Sequence, residues 1–154
     1  HGRNHIVFAR APQPYLSRES QRWVMEHYSY NSKCVTEDWL DELMRVAALP
    51  KYLQSVEKME AQGLLTSVFL PNHGRQKSET FDWLMERGTG RPNLLVWGHN
   101  DPTATIDQGF VLFDMLVHKE PRTEMHVFNE SGHFTYREHP DAFNRLVLDY
   151  VQGL

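Results

Sequence analysis

The chain has a single cysteine, Cys34, in 154 residues. No disulfide can form within it, so the fold rests on packing. Long apolar runs are also missing: Val111-Leu112-Phe113 is interrupted by Asp114 before Met115-Leu116-Val117. That falls well short of the roughly 18 consecutive apolar residues of a membrane span. Nor is there an excess of positive charge. Sixteen Lys and Arg against 20 Asp and Glu leave a formal charge of −4, which argues against the basic face of a duplex-binding module. The first residues, His1 to Phe8, lack the charged start and apolar stretch of a signal peptide, so a reducing cytoplasm is the expected compartment. What remains is ordinary: 40% hydrophobic and 23% charged residues suit a folded globular chain.

Helical signals fill the first half. Ser17 is placed to cap a helix over residues 19–27, and Thr36-Glu37-Asp38 reads as an N-cap followed by acidic first-turn residues. Leu40, Leu43, Met44 and Ala47 then recur at helical spacing. Pro50 starts a further helix that Gly63 stops. Residues 64–70 are apolar but ambiguous. Pro71-Asn72-His73-Gly74 reads as a turn, and Ser78 as the N-cap of a short helix through Phe81, Leu84 and Met85.

The pattern changes beyond Pro92. Asn93-Leu94-Leu95-Val96-Trp97 resembles a strand buried on both faces of a parallel sheet. A helix follows, with Ile106, Phe110, Phe113, Met115 and Leu116 as its expected buried side. Met125-His126-Val127-Phe128 is a second strand, residues 129–135 form a polar loop, and a last helix starts near Pro140 with Phe143, Leu146, Val147 and Tyr150 on one face. Strand–helix–strand–helix order predicts an α/β fold with crossover connections. Two strands leave most of a sheet uncovered, so this part is expected to dock on more sheet. With a first residue that is His1 rather than Met, the chain reads as the second half of something larger.

In open parallel sheets, reactive groups collect where the strands end. The loop Gly98-His99-Asn100-Asp101-Pro102 and the loop Asn129-Glu130-Ser131-Gly132-His133-Phe134 both lie there. They bring Asp101 and His133 to one edge, where a carboxylate can fix the tautomer of an imidazole and stabilise its protonated form. A histidine so held can take a proton from a serine supplied nearby. Asp107 is the substitute acid.

The run from Leu94 to Pro102, and the run Val127 to Phe134 followed by Glu138-His139-Pro140-Asp141-Ala142-Phe143-Asn144, resemble the acid loop, histidine loop and final helix of the α/β-hydrolase superfamily. Within it the chain is most similar to the meta-cleavage product hydrolases, which cut carbon–carbon bonds in ring-opened aromatic compounds. Residues 138–150 resemble their last helix, and Tyr28-Ser29-Tyr30-Asn31 with Val35-Thr36-Glu37 resembles the start of their helical lid. The resemblance implies the C-terminal half of an α/β-hydrolase fold plus a helical cap. Residues 1–15 would connect from a preceding half, 16–72 form the lid, and 73–154 complete the core. It implies Asp101 as the triad acid, His133 as the base, and Arg45 as the candidate for the lid arginine that meets the substrate carboxylate. The family's nucleophile motif G-x-S-x-G is absent from the sequence, so the serine and most of the oxyanion hole are expected from the N-terminal half. Phe134 stands where the family commonly has Trp; it keeps the apolar wall and loses an N–H donor.

Phe134 serves core packing or substrate contact equally well. The same is true of Trp39, Leu43 and Met44, which lie on the helix expected to roof the site. The nine histidines include no H-E-x-x-H pair and no Cys/His cluster, so no metal is expected. No cofactor is expected either. The expected partners are a small aromatic-derived substrate and the N-terminal half of the same enzyme, without nucleic acid or membrane; self-association as a homo-oligomer stays open. Ester or lactone hydrolysis on the same fold, and a non-catalytic helical binding module, remain as alternatives.

Overall fold

The computed structural model describes residues 9–154. Of the expected connecting segment, residues 1–8 lie outside the described residues. Helix α1, Arg18–Tyr28, is capped by Ser17, whose hydroxyl accepts from Ser20 N. A 3-10 turn, Ser32–Cys34, leads to α2, Glu37–Ala47, capped by Thr36 through Trp39 N. Arg18 bridges α1 to α2 through Glu37 at 2.6 Å and Asp41 at 2.5 Å, and Arg22 also reaches Glu37. Helix α3, Pro50–Ala61, begins on its proline, and Gly63 follows with φ 59°, a left-handed conformation that ends it.

The turn expected at Pro71-Asn72-His73-Gly74 is helical. A π turn, Leu65–Phe69, runs straight into α4, Leu70–Arg87. In a regular helix the ring of Pro71 would strike the carbonyl four residues back, and the wider π turn just before it gives the ring room. Ser78 is therefore no N-cap. It lies inside α4 with its hydroxyl bonded to the Gly74 carbonyl at 3.3 Å. The division drawn between residues 72 and 73 falls inside this helix. Leu65, Val68, Phe69 and Leu70 are each about half exposed, which is why their apolar run gave no face to read.

Strand β1, Asn93–Gly98, pairs in parallel with β2, Thr123–Phe128, in the register Asn93 with Thr123 through Gly98 with Phe128. The crossover is α5, Ile106–Val117. Within the two-stranded sheet of the described residues, β1 is half-buried up to Trp97. Likewise α5 buries Gly109 and Leu116, whereas Phe110 points outward at 54% exposure. A short helix α6, Thr135–Glu138, precedes α7, Pro140–Gln152, on which Phe143, Leu146, Val147 and Tyr150 form the half-buried face. No helix among the described residues is long and apolar enough to cross a membrane.

A small core of Ala11, Val24 and Tyr28 packs against Trp23, Met25 and Phe134, tying α1 to the segment that follows β2. Leu40, fully buried, anchors α2. Removing its side chain leaves a cavity worth about 2–5 kcal/mol. Leu40→Ala is therefore expected to unfold at much lower urea than the parent, while the exposed Glu57→Ala stays within roughly 0.5 kcal/mol. Equal midpoints for the two variants would place Leu40 outside the core.

Candidate active site

The loops that leave β1 and β2 are stitched together by backbone bonds. His99 N donates to Phe128 O at 2.8 Å, and Asn100 N donates to Ser131 O at 2.8 Å. This contact requires glycine on both sides. A Cβ at Gly98 would stand 2.0 Å from the Gly132 carbonyl oxygen, and one at Gly132 would stand 2.4 Å from the Tyr28 carbonyl oxygen. Backbone cannot yield as a flexible side chain can, so three segments meet where two side chains are missing.

Asp101 folds back into an Asx-type turn. Its Oδ1 accepts from Thr103 N at 2.8 Å, Ala104 N at 2.9 Å and Thr103 Oγ1 at 3.0 Å. Trp97 braces the same loop by donating from Nε1 to Ala104 O at 2.7 Å. The second carboxylate oxygen, Oδ2, lies 2.7 Å from His133 Nδ1. Since Oδ2 accepts, Nδ1 carries the proton and Nε2 of the neutral ring is the basic nitrogen. Among the described residues no hydrogen bond reaches Nε2. The His133 side chain is 43% exposed and that of Asp101 only 7%. Both border a cleft of about 180 Å³ together with Val96, Gly98, Ala104 and Gly132.

Burial alone would raise the Asp101 carboxyl. The His133 hydrogen bond and the N–H groups of Thr103 and Ala104 outweigh it, holding the group below the usual carboxylate value. His133 moves the other way: its bond to Asp101 raises its pKa against a smaller opposing effect of burial. The contact thus stabilises the charged form of each partner, carboxylate and imidazolium. Such an arrangement can remove a proton from a hydroxyl or water at Nε2 and stabilise the resulting charge. The phenol of Tyr28, its ring 5.3 Å from that of His133, is pushed up first by burial and then by Asp101, so it stays neutral. No group of three or more His, Cys, Asp or Glu able to hold a metal occurs among the described residues.

The sequence-based candidates divide. Asp101 and His133 are in direct contact. Phe134 stands edge-on to His133 with centroids 5.4 Å apart, and Trp39 stands edge-on to Phe134 at 4.8 Å, so α2 reaches the histidine loop. Leu43 and Met44 are half-buried further along α2. Arg45 is exposed and bonds Glu42 on its own helix at 2.7 Å. Asp107, the substitute acid, is an exposed first-turn residue of α5. Two participants were not anticipated. Thr103 buttresses the acid, a role signalled only by its position two residues after Asp101. Glu138 binds the histidine loop from behind; the sequence marked it only as the first residue of the run resembling the family's last helix.

No family model matches the chain. A crystal structure of a variant meta-cleavage product hydrolase superposes with a TM-score of 0.67 at 20% identity, over 97% of this chain and 49% of that one. Another, from Pseudomonas fluorescens IP01 with acetates bound, gives 0.64 at 21% identity, over 96% and 48%. The fold is thus about half of an α/β-hydrolase. In sequence, the 2-hydroxy-6-oxo-6-phenylhexa-2,4-dienoate hydrolase of Burkholderia cepacia is 26% identical over 151 residues, 95% of this chain and 45% of that protein. A 2-hydroxy-6-oxononadienedioate/2-hydroxy-6-oxononatrienedioate hydrolase of Pseudomonas putida is 44% identical over 61 residues, 40% of this chain and 20% of that protein. The chain is thus similar in sequence to meta-cleavage product hydrolases, and it spans about half the length of relatives that match nearly all of it.

The electrostatics predict a titration. By NMR, His133 should protonate above the roughly 6.5 of an ordinary imidazole. Asp101→Asn, which removes the charge and keeps the shape, should bring that midpoint down. A midpoint unchanged by Asp101→Asn would mean that the carboxylate does not govern His133.

Proposed function

We propose that this chain contributes the base and the acid of a Ser-His-Asp hydrolase that cleaves a carbon–carbon bond in a ring-opened aromatic meta-cleavage product, the serine being supplied by polypeptide outside it. The observation that carries this reading is the 2.7 Å contact of His133 Nδ1 with Asp101 Oδ2, with Nε2 left unbonded among the described residues beside the cleft. The end-to-end similarity to hydrolases of 2-hydroxy-6-oxo dienoates supports the substrate class.

In this account His133 Nε2 takes the proton of the serine hydroxyl, and Asp101 stabilises the imidazolium. The substrate is a vinylogous diketo acid, which water divides into a dienoate and a carboxylic acid. The same histidine moves the proton during ketonisation of the substrate. The oxyanion hole belongs largely to the nucleophile's segment, since one of its N–H donors follows the serine.

The helices of residues 16–72 act as the lid. Trp39 and Phe134 supply an apolar wall next to the base, supported by their edge-on contact and by the Arg137 guanidinium 4.1 Å over the Trp39 ring. Leu43 and Met44 extend the roof along α2. Arg45 meets the substrate carboxylate by leaving Glu42, an exposed pair of small worth.

A coloured meta-cleavage product and a simple aryl ester distinguish the reactions. The full-length protein that carries this chain should bleach the coloured compound, and His133→Ala should reduce kcat by about 10³-fold or more with the fold intact. Ester turnover without bleaching would assign it instead to ester or lactone hydrolysis. Bleaching undiminished in His133→Ala would remove the histidine from the chemistry.

A further inference from the structure

Directly behind the histidine loop, the carboxylate of Glu138 gathers donors from two distant stretches of chain. Oε1 accepts from Tyr30 N at 2.7 Å and Asn31 N at 2.8 Å. Oε2 accepts from Gly132 N at 2.6 Å, with the Ser131 hydroxyl 3.4 Å away and sharing its proton with Thr135 Oγ1 at 3.0 Å. Three backbone N–H groups thus converge on one side chain. Two of them belong to the segment that enters the helical region, and the third belongs to the residue just before His133. On the other side of the same loop, His133 N donates to Tyr28 O at 2.8 Å. The next residue in the chain, His139, donates from Nε2 to Glu130 O at 3.1 Å, and Glu130 itself adopts a left-handed φ of 53°. The loop is therefore held at 130, 132 and 133 by groups from two separate places, the end of α1 and residues 138–139.

We propose that Glu138 is a positioning residue: by clamping Gly132 to Tyr30 and Asn31 it fixes the backbone from which His133 reaches Asp101, and it ties the entry of the helical segment to that geometry. A surface carboxylate with no such task would be satisfied by water or a cationic neighbour. Glu138 has backbone donors on both oxygens, and a carboxylate is the only side chain that accepts at both ends without offering a proton of its own. An amide in its place accepts at one end and sets N–H against N–H at the other.

The inference rests on His133 as the base proposed above, but its test does not use turnover. In the full-length protein, the His133 midpoint should fall in Glu138→Ala toward that of an ordinary imidazole. The low-field Nδ1–H resonance of the His133–Asp101 bond should broaden or vanish. Glu138→Gln, which keeps an acceptor for one side of the clamp, should show the same changes in smaller measure, and it decides the matter if Glu138→Ala does not fold. A folded variant with parental midpoint and resonance would overturn the proposal, whether or not the protein cleaves carbon–carbon bonds. The shifts expected here would uphold it even if the substrate proved to be an ester.

Discussion

At Gly98 and Gly132 three backbone segments approach more closely than any Cβ allows: the end of β1, the loop after β2 and the exit of α1. Every feature of the site depends on that contact. It places the carboxylate that follows Gly98 beside the imidazole that follows Gly132. It also seats the helical half on the sheet half through the Tyr28 carbonyl, which accepts from His133 N. A methyl group at Gly98 would press on the loop that carries His133, and one at Gly132 would press on the exit of α1.

Within that frame the Asp101–His133 pair tolerates its own burial. A carboxylate removed from water is costly unless its lone pairs are filled, and Asp101 has Thr103 N, Thr103 Oγ1 and Ala104 N on one oxygen and His133 on the other. The balance holds the acid's pKa down and raises that of the base, so each partner stabilises the charged form of the other. The asymmetry of exposure matters too. Both groups border the cleft, but the histidine side chain is 43% exposed and that of the acid only 7%.

Much of this was legible in the residues. Ser17 and Thr36 announced two helix starts because a short hydroxyl side chain satisfies an otherwise unpaired N–H, a local effect that tertiary packing did not override. Asp101 and His133 were recognisable because strand ends in a parallel sheet bring their loops together. The π turn before Pro71 was not legible: a proline and a glycine three residues after it normally mark a turn, and only the widened coil lets the helix continue. The outward faces of the π turn and α5 escaped for another reason. Hydrophobic periodicity reports which side seeks cover, and Leu65, Phe69 and Phe110 are half exposed in this chain. Glu138 was hidden because its partners, Tyr30 and Asn31, lie more than a hundred residues away in sequence. Arg45, expected to meet a substrate, bonds its helical neighbour Glu42, a local pairing that spacing along a helix makes common.

The central claim is that this pair activates a nucleophile that the chain itself does not supply. Covalent trapping by a serine-directed fluorophosphonate reads that activation without reference to any substrate. In the polypeptide that carries both this chain and the proposed serine, the account predicts stoichiometric labelling at that serine, with the labelling rate falling by about 10³-fold or more in His133→Ala. Labelling that proceeds equally fast without His133, or that never occurs in the folded parent, would contradict it.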